Sequence, residues 1–415
     1  MVEQRMFAIA QSETLMAVEA PSFPFADLRN NELPRVSAPV APVQDWWIEV
    51  ADRDKTLSQQ PAWEVLAKNA VEPNVFYEPW MFLPAILNFD ADKPLSCVFV
   101  YRRDPRPKQP PLLCGFFPFE QRRTLKGLPI ASLRLWDHPY LSLCTPLVHR
   151  DWTRETLHHL FDWVIGEARY GLVDLPQIHG EGPFHQALLD VMRERRMLSY
   201  VEESHTRALI RRGLDAESYG AAAMNHLSRK EWRRQRKRLA EQGTLETRIL
   251  GPAADVDGWI EQFLELEASG WKGKQKTALA LSHADGAFFR SIAHNAYARG
   301  QLHMLGLFLD DMPIAMKCNF LAGDGGYTFK IAFDESYAKY SPGVQLELDN
   351  IADVHRRPNL QWLDSCSIPE HFMINRLWKE KRVIQRVLVA TSRWSGNGVI
   401  GLLPMLRALK RMCFS

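Results

Sequence analysis

Between Lys330 and Gly343 the chain carries Lys330, Asp334, Glu335, Tyr337, Lys339, Tyr340, Ser341, Pro342 and Gly343 in one short stretch. Carboxylates can take a proton and phenols can give one, so Asp334 or Glu335 is a candidate base and Tyr337 or Tyr340 a candidate acid. Lys330 sits on the β-branched and aromatic run GYTFKIAFD, which reads as a strand. Val344, Leu348 and Ile351 follow on one helical face, so the stretch joins a strand to a helix. A helix start offers unpaired N–H groups and the positive end of a dipole, which suit a phosphate. Ser341 can cap that start, Pro342 suits the first turn, and Gly343 has no Cβ to obstruct a ligand. A plainer reading also fits: a capped helix, with the carboxylates paired to Lys330 or Lys339 at the surface.

Three further groups could take part. Trp271 and Lys272 follow a helix that ends at Gly270, where the Trp could close the core under a surface loop. Trp136, Asp137, His138 and Tyr140 form an aromatic and polar cluster that could line an acceptor cleft between two halves of the chain, with His138 as a base or as a structural residue. Ser228–Leu239 holds seven Arg or Lys and one Glu, with Trp232 and Leu239 marking its buried side. Such a helix is either solvated, or contacts an anionic cofactor or acceptor, or binds nucleic acid. His303, on an apolar strand, reads as structural.

The elements that must carry these groups follow from pattern. Helices are expected at Pro61–Ala70, Glu78–Asn88, Thr153–Tyr170, Pro183–Arg196, Ala216–Gln242, Ala254–Gly270, Val344–Arg356 and Pro369–Lys379. Strands are expected at LSCVFVYRR, LLCGFFPFEQ, YLSLCTPLV, LVDLPQI, MLSYVEESHTRALI, GQLHMLGLFL, PIAMKCNFLAG, GYTFKIAFD, NLQWLDSCSI and VIQRVLVAT. The fold class is α/β, layered, with two similar halves and no repeat visible residue by residue. The boundaries read as a flexible arm over 1–45, one domain over 46–212, a second over 213–395, and a terminal helix over 396–415.

The 415 residues are 46% hydrophobic and 24% charged with net charge +2, which is globular and says little about partners as a whole. The six cysteines form no CxxC pair and no His cluster accompanies them, so neither a zinc site nor a disulfide framework is expected. No apolar stretch approaches a bilayer span, and a cytoplasmic location is expected. GVIGLLPMLRALKRM reads as a helix packed on its own domain rather than on a membrane.

The order of elements together with four stretches resembles the GNAT acyltransferase superfamily, most closely its CelD-type branch associated with cellulose and exopolysaccharide biosynthesis. The stretches are GWKGKQKTAL (270–279), LFLDDMPIAMK (307–317), FKIAFDESYAKYSPGVQL (329–346) and, in the first half, FYEPWMFLPAI with LRLWDHPYLSLCTPLV. Where that branch usually has Gly and Tyr, this chain has Lys276 and Phe333. The resemblance implies two tandem GNAT-like domains, each a mixed, mostly antiparallel sheet flanked by helices. It implies acetyl-CoA or another acyl-CoA as donor, with the pyrophosphate at Tyr340, Ser341, Pro342, Gly343, Val344 and Gln345. The thioester would lie on the preceding strand, near Lys330, Asp334, Glu335 and Tyr337, with Trp271, Lys272, Trp136 and His138 at the acceptor. The acceptor would be an amine or hydroxyl on a small molecule, or on a sugar or polysaccharide precursor, with no metal. Related Fem peptidyl transferases use aminoacyl-tRNA, which keeps tRNA as the alternative partner; a non-catalytic interaction protein is the third reading.

Overall fold

The computed structural model describes residues 45–89, 95–104, 108–125, 128–392 and 395–403. The arm expected over 1–45 and the end of the terminal helix therefore lie outside the described residues, except that Asp45 precedes the first strand. The strands are β1 (Trp46–Ala51), β2 (Leu95–Arg102), β3 (Leu112–Arg122), β4 (Ser132–Leu135), β5 (Leu147–Val148), β6 (Leu172–His179), β7 (Ser199–Arg211), β8 (Leu245–Ile249), β9 (Leu302–Leu309), β10 (Met312–Ala322), β11 (Gly325–Phe333), β12 (Trp362–Asp364) and β13 (Glu380–Ala390). They form one sheet in the order β1-β2-β3-β4-β6-β13-β7-β12-β11-β10-β9-β8, with β5 beside β3. All pairs are antiparallel except β4 with β6 and β11 with β12. Helices cover both faces, so β2 and β3 read as near-continuous apolar runs rather than alternating ones.

The order reads the same from both ends. β1-β2-β3-β4-β6 forms one arm and β8-β9-β10-β11-β12 the other, each with one parallel pair at the same step. The sixth strand of each arm comes from the other half of the chain: β13 lies against β6, and β7 against β12. The two exchanged strands then pair with each other from Glu380–Leu209 to Val389–Ser199, which joins the arms. A repeat absent from the sequence reading becomes visible in this frame. Leu172-Val173-Asp174 and Trp362-Leu363-Asp364 hold equivalent positions, with both aspartates at the end of the parallel register.

Both aspartates are buried and each is held by two arginines. Asp174 accepts from Arg134 Nη1 (2.9 Å) and from Arg386 Nη2 (2.8 Å) and Nε (3.0 Å). Asp364 accepts from Arg207 Nη2 (2.8 Å) and Arg382 Nη1 (2.9 Å). Thus β13 sends one arginine to each arm.

Several boundaries differ from the sequence reading for local reasons. Ala216–Gln242 is two helices, Ala216–Ala223 and His226–Ala240, because Asn225 is extended and its side chain caps the second at Ser228 N–H. YLSLCTPLV is a strand only at Leu147–Val148. Thr153–Tyr170 is α-helical to Trp163, then π-helical to Ala168, and Arg169 ends it in a left-handed conformation. β1, β4, β8 and a helix over His283–Ala298 are not among the expected elements; that helix carries Asp285 and Gly286 in its first turn, and its stripe of Phe288, Phe289, Ile292, Ala293 and Ala296 is buried. The Asp310-Asp311 turn holds both residues at positive φ, as a two-residue type I′ hairpin requires. Residues 395–403 are helical, with Val399, Ile400 and Leu403 packed on Leu172 and Leu388.

Removing one partner of a buried ion pair strands the other charge, at a cost of about 3–5 kcal/mol. Asp364→Asn is therefore expected to lower unfolding stability by about 3 kcal/mol in a urea titration; a loss under about 1 kcal/mol would contradict this role for the pair.

Candidate functional site

The site is built where β11 leaves its neighbour. β11 pairs with β12 only over Gly325–Tyr327, and Thr328–Phe333 continue with strand β10 on one side alone. Two local features fix this. At Gly325 a Cβ would overlap the Trp362 indole, so glycine permits the close start. A bulge shifts the β10–β11 register between Cys318–Lys330 and Asn319–Thr328, which bends the strand. The splayed half of β11 thereby keeps a backbone edge open to a ligand, as an oxyanion-type site needs.

The face of β11 toward the helices Val256–Ser269 and His283–Ala298 carries the densest charge. Glu267 is buried and its Oε1 accepts from Lys272 Nζ (2.9 Å) and lies 3.1 Å from Lys330 Nζ. Its Oε2 accepts from Leu279 N–H (2.9 Å), and Lys272 Nζ also donates to Ile331 O on the open edge (3.1 Å). Burial acts to raise the Glu267 carboxyl, but Lys272, Lys330 and the Leu279 N–H outweigh it and hold the group below its usual range. Lys272 is lowered by burial and by Lys330, against the pull of Glu267. Sequence reasoning singled out both lysines but not Glu267. A signal existed: Glu267 lies four residues after Phe263, within the apolar stripe of its helix.

The opposite face of the sheet meets the helix Pro342–Arg356. Lys317 and Glu347 pair there at 2.7 Å with both side chains wholly buried, and Trp378 Nε1 and Asn350 donate to the other Glu347 oxygen. His303 is indeed structural: it bonds Asp353 (3.0 Å) and Asn319 (3.2 Å) in the same network.

The expected reactive residues are spread along the joint. Asp334 caps the 3-10 turn Glu335–Tyr340 by accepting from Ser336 N–H (2.8 Å). Glu335 pairs with Lys274 at 2.5 Å. Tyr337 packs beside Leu239 and Leu346, and Tyr340 is buried in that cluster with Lys339 over its ring. Ser341 does precede the helix, but its backbone is left-handed and its side chain makes no cap bond. The N–H groups of Gly343 and Val344 thus have no partner in their own helix. Gly343 sits against the Phe333 ring, where a Cβ would come 3.4 Å from Cδ1. Gln345 ties this helix to the basic one by donating to Trp232 O (2.9 Å), and Val344 is partly buried.

The basic helix packs on that joint through Trp232 and Leu239, as expected, and Arg236 bonds Asp349 (2.9 Å). Arg229, on the same face as Trp232, is half-buried and meets no carboxylate among the described residues. Lys230, Arg233, Arg234, Lys237 and Arg238 are exposed. Lys276 stands at φ 59, a left-handed position where glycine has no Cβ penalty.

From the first arm, the loop after β4 reaches the second. Trp136 is fully buried against Phe82 and so belongs to the core. His138 lies between Trp136, Phe89 and Phe288, and its Nδ1 accepts from Tyr140 N–H (3.3 Å). Burial drops its pKa to about 3. With Nδ1 accepting, the neutral ring carries its proton on Nε2, which makes His138 a donor rather than a base. Trp271 is half-buried on the short helix Trp271–Lys274, with the Lys272 ammonium 5.9 Å from its ring.

Glu267→Gln would leave two ammonium groups without their shared counter-charge, and is expected to cost about 3 kcal/mol in denaturant unfolding. Because the folded Glu267 is lowered, its contribution is full above the ordinary Glu value of about 4.3 and is lost as pH falls through the folded value. The difference between wild type and variant should therefore shrink on acidification; a constant difference would contradict the pairing. Lys276→Gly is expected to raise stability by about 0.5 kcal/mol, the relief of a left-handed side chain (about 1–2 kcal/mol) exceeding the added unfolded-state freedom (about 0.4–1 kcal/mol), and a melting curve reads it.

Residues 227–372 match the acetyltransferase (GNAT) domain family, a span from the basic helix through β8–β12. No curated protein matches the chain. Among solved structures, FemX superposes with a TM-score of 0.54 at 10% identity, covering 80% of this chain and 95% of that one. A tandem GNAT protein from the clavulanic acid biosynthesis pathway scores 0.40 at 12% identity, covering 84% and 99%. The C-terminal domain of a putative lysylphosphatidylglycerol synthetase from Agrobacterium fabrum scores 0.47 at 10% identity, covering 84% and 96%. Residues 227–372, which match the acetyltransferase (GNAT) domain family, include the open edge of β11, the start of Pro342–Arg356 and the Glu267 cluster, and the fold of the chain is similar to that of FemX.

Proposed function

We propose that the protein transfers an acyl group, acetyl in the simplest case, from acyl-CoA to an amine or hydroxyl. The observation that carries this reading is the splay of β11 beside the uncapped start of Pro342–Arg356. The CoA pyrophosphate rests on the Gly343 and Val344 N–H groups, with Arg229 and the exposed cations of the basic helix as counter-charge. The thioester lies along the Thr328–Phe333 edge, whose backbone polarises the carbonyl as charge develops there. The acceptor nitrogen or oxygen attacks that carbon, the C–S bond breaks, the acceptor loses a proton and the departing thiolate gains one. Asp334 and Glu335 are the carboxylates nearest the joint for the first transfer, and Tyr337 is the phenol for the second. The exopolysaccharide association of the CelD-type branch fits a saccharide acceptor.

A second reading rests on the exposed Lys230, Arg233, Arg234, Lys237 and Arg238. They would equally suit tRNA, with an aminoacyl group as the transferred unit. Two measurements on the purified chain separate the readings. With CoA or acetyl-CoA at about 100-fold over a micromolar Kd, the melting temperature should rise by the equivalent of about 2.7 kcal/mol, and Gly343→Val should abolish the rise. No shift at millimolar CoA, together with no thiol release across an amine and alcohol panel, overturns the acyl-CoA reading. Salt-sensitive retention of bulk tRNA on a filter would favour the second.

A further inference from the structure

Lys272 is tied to the open edge of β11 in a way that the donor reading does not use. Asp334 N–H turns toward β10 and donates to Ile314 O (2.9 Å). Residues of an antiparallel ladder alternate in this respect, so the backbone groups of Phe333 and Ile331 face the other way, onto the edge that β12 has left. Lys272 Nζ donates to Ile331 O on that edge (3.1 Å) and to Glu267 Oε1 (2.9 Å). The same residue's N–H therefore looks out beside the Lys272 nitrogen, where a thioester carbonyl would accept it. Charge is the second observation. Lys272 and Lys330 share Glu267 Oε1, which leaves this cluster with one surplus positive charge. Lys274, on the same short helix as Lys272, is already matched by Glu335. Loss of one proton from Lys272 makes the cluster neutral, and burial together with Lys330 lowers that lysine. The neutral amine donates both its N–H groups, one to Glu267 Oε1 and one to Ile331 O. With Cε as third substituent, its lone pair is held in the one remaining tetrahedral direction rather than turned onto a hydrogen bond. The Lys272 side chain keeps 18% exposure, so it is reached from solvent. Lys330 is placed differently: its ammonium meets Glu267 and the Tyr140 ring, and among the described residues no bond ties it to an edge carbonyl.

We propose that Lys272 is itself an acyl acceptor, so that the protein acylates its own Nζ from acyl-CoA lying on the open edge. The inference rests on the acyl-CoA reading above. The amine nitrogen attacks the thioester carbon, a C–N bond forms and the C–S bond breaks. One ammonium proton has left to solvent beforehand; the second passes to the departing thiolate, which leaves as CoA thiol. An amide does not give up its acyl group as a thioester does, so the product is a modification and not an intermediate. It removes the surplus charge, leaves Glu267 and Lys330 as a matched pair, and fills the place of the donor's acyl group.

The test incubates the purified chain with acetyl-CoA and no added acceptor, maps its peptides by mass spectrometry and records the melting shift with CoA. Acetyl is expected on Lys272 at a rate at least about tenfold above that of the exposed Lys230 and Lys237, because a bound donor reacts as an intramolecular partner. The rate should saturate with acetyl-CoA and should not change with protein concentration. Lys272→Arg keeps the charge and should abolish this label. Label spread evenly over exposed lysines, a rate linear in acetyl-CoA, or a rate that rises with protein concentration each overturns the proposal. These are read on the wild type, so they decide it even where Lys272→Arg does not fold. A melting shift with CoA but no acetyl on Lys272 overturns self-acylation and leaves the acyl-CoA reading standing. Absence of both overturns both.

Discussion

The arrangement hangs on β13, which carries Arg382 to Asp364 and Arg386 to Asp174. A buried carboxylate costs several kcal/mol to desolvate, and only close, multiple hydrogen bonds offset it. Each aspartate receives two guanidinium groups, so neither arm can hold its own aspartate without a strand from the other half. Arg382 and Arg207 sit directly opposite in the β7–β13 register, a like-charge pair that repels unless Asp364 lies between them. A slip of one residue would turn both arginines of β13 to the far side of the sheet, so the same ion pairs fix register as well as association.

Because the arms share one sheet, the loop after β4 lies over the helices of the second arm. His138 and Tyr140 are in sequence far from Phe288 and Lys330, yet they form a single aromatic and cationic wall. The second arm supplies an open edge by failing to pair: three residues of β12 hold β11, and the bulge carries the rest away. Buried ions then stiffen both faces of that edge, Glu267 with two lysines on one side and Lys317 with Glu347 on the other. Supports this densely bonded hold the backbone geometry of that edge without a ligand.

Much of this was legible in the sequence. The strand-to-helix joint, the buried side of the basic helix at Trp232 and Leu239, and the pairing strands 302–333 follow from period and turn chemistry. The capping role of Ser341 did not follow, because a left-handed backbone turns its hydroxyl away from the helix start. His138 read as a possible base because residue type alone does not state a tautomer; the Tyr140 N–H does. Glu267 is marked in the sequence by its place on the apolar stripe four residues after Phe263, a place Glu265 does not share, but only the fold shows that Lys272 and Lys330 are its partners.

The sequence by itself determined the local elements and the chemistry available at each, because backbone propensity, capping and hydrophobic period act over a few residues. Only the tertiary structure decided which half completes which sheet, which carboxylate serves which lysine, and which imidazole nitrogen is left unpaired. Those outcomes depend on contacts between residues far apart in the chain, Arg386 with Asp174 and Lys330 with Tyr140, and no short-range pattern encodes them.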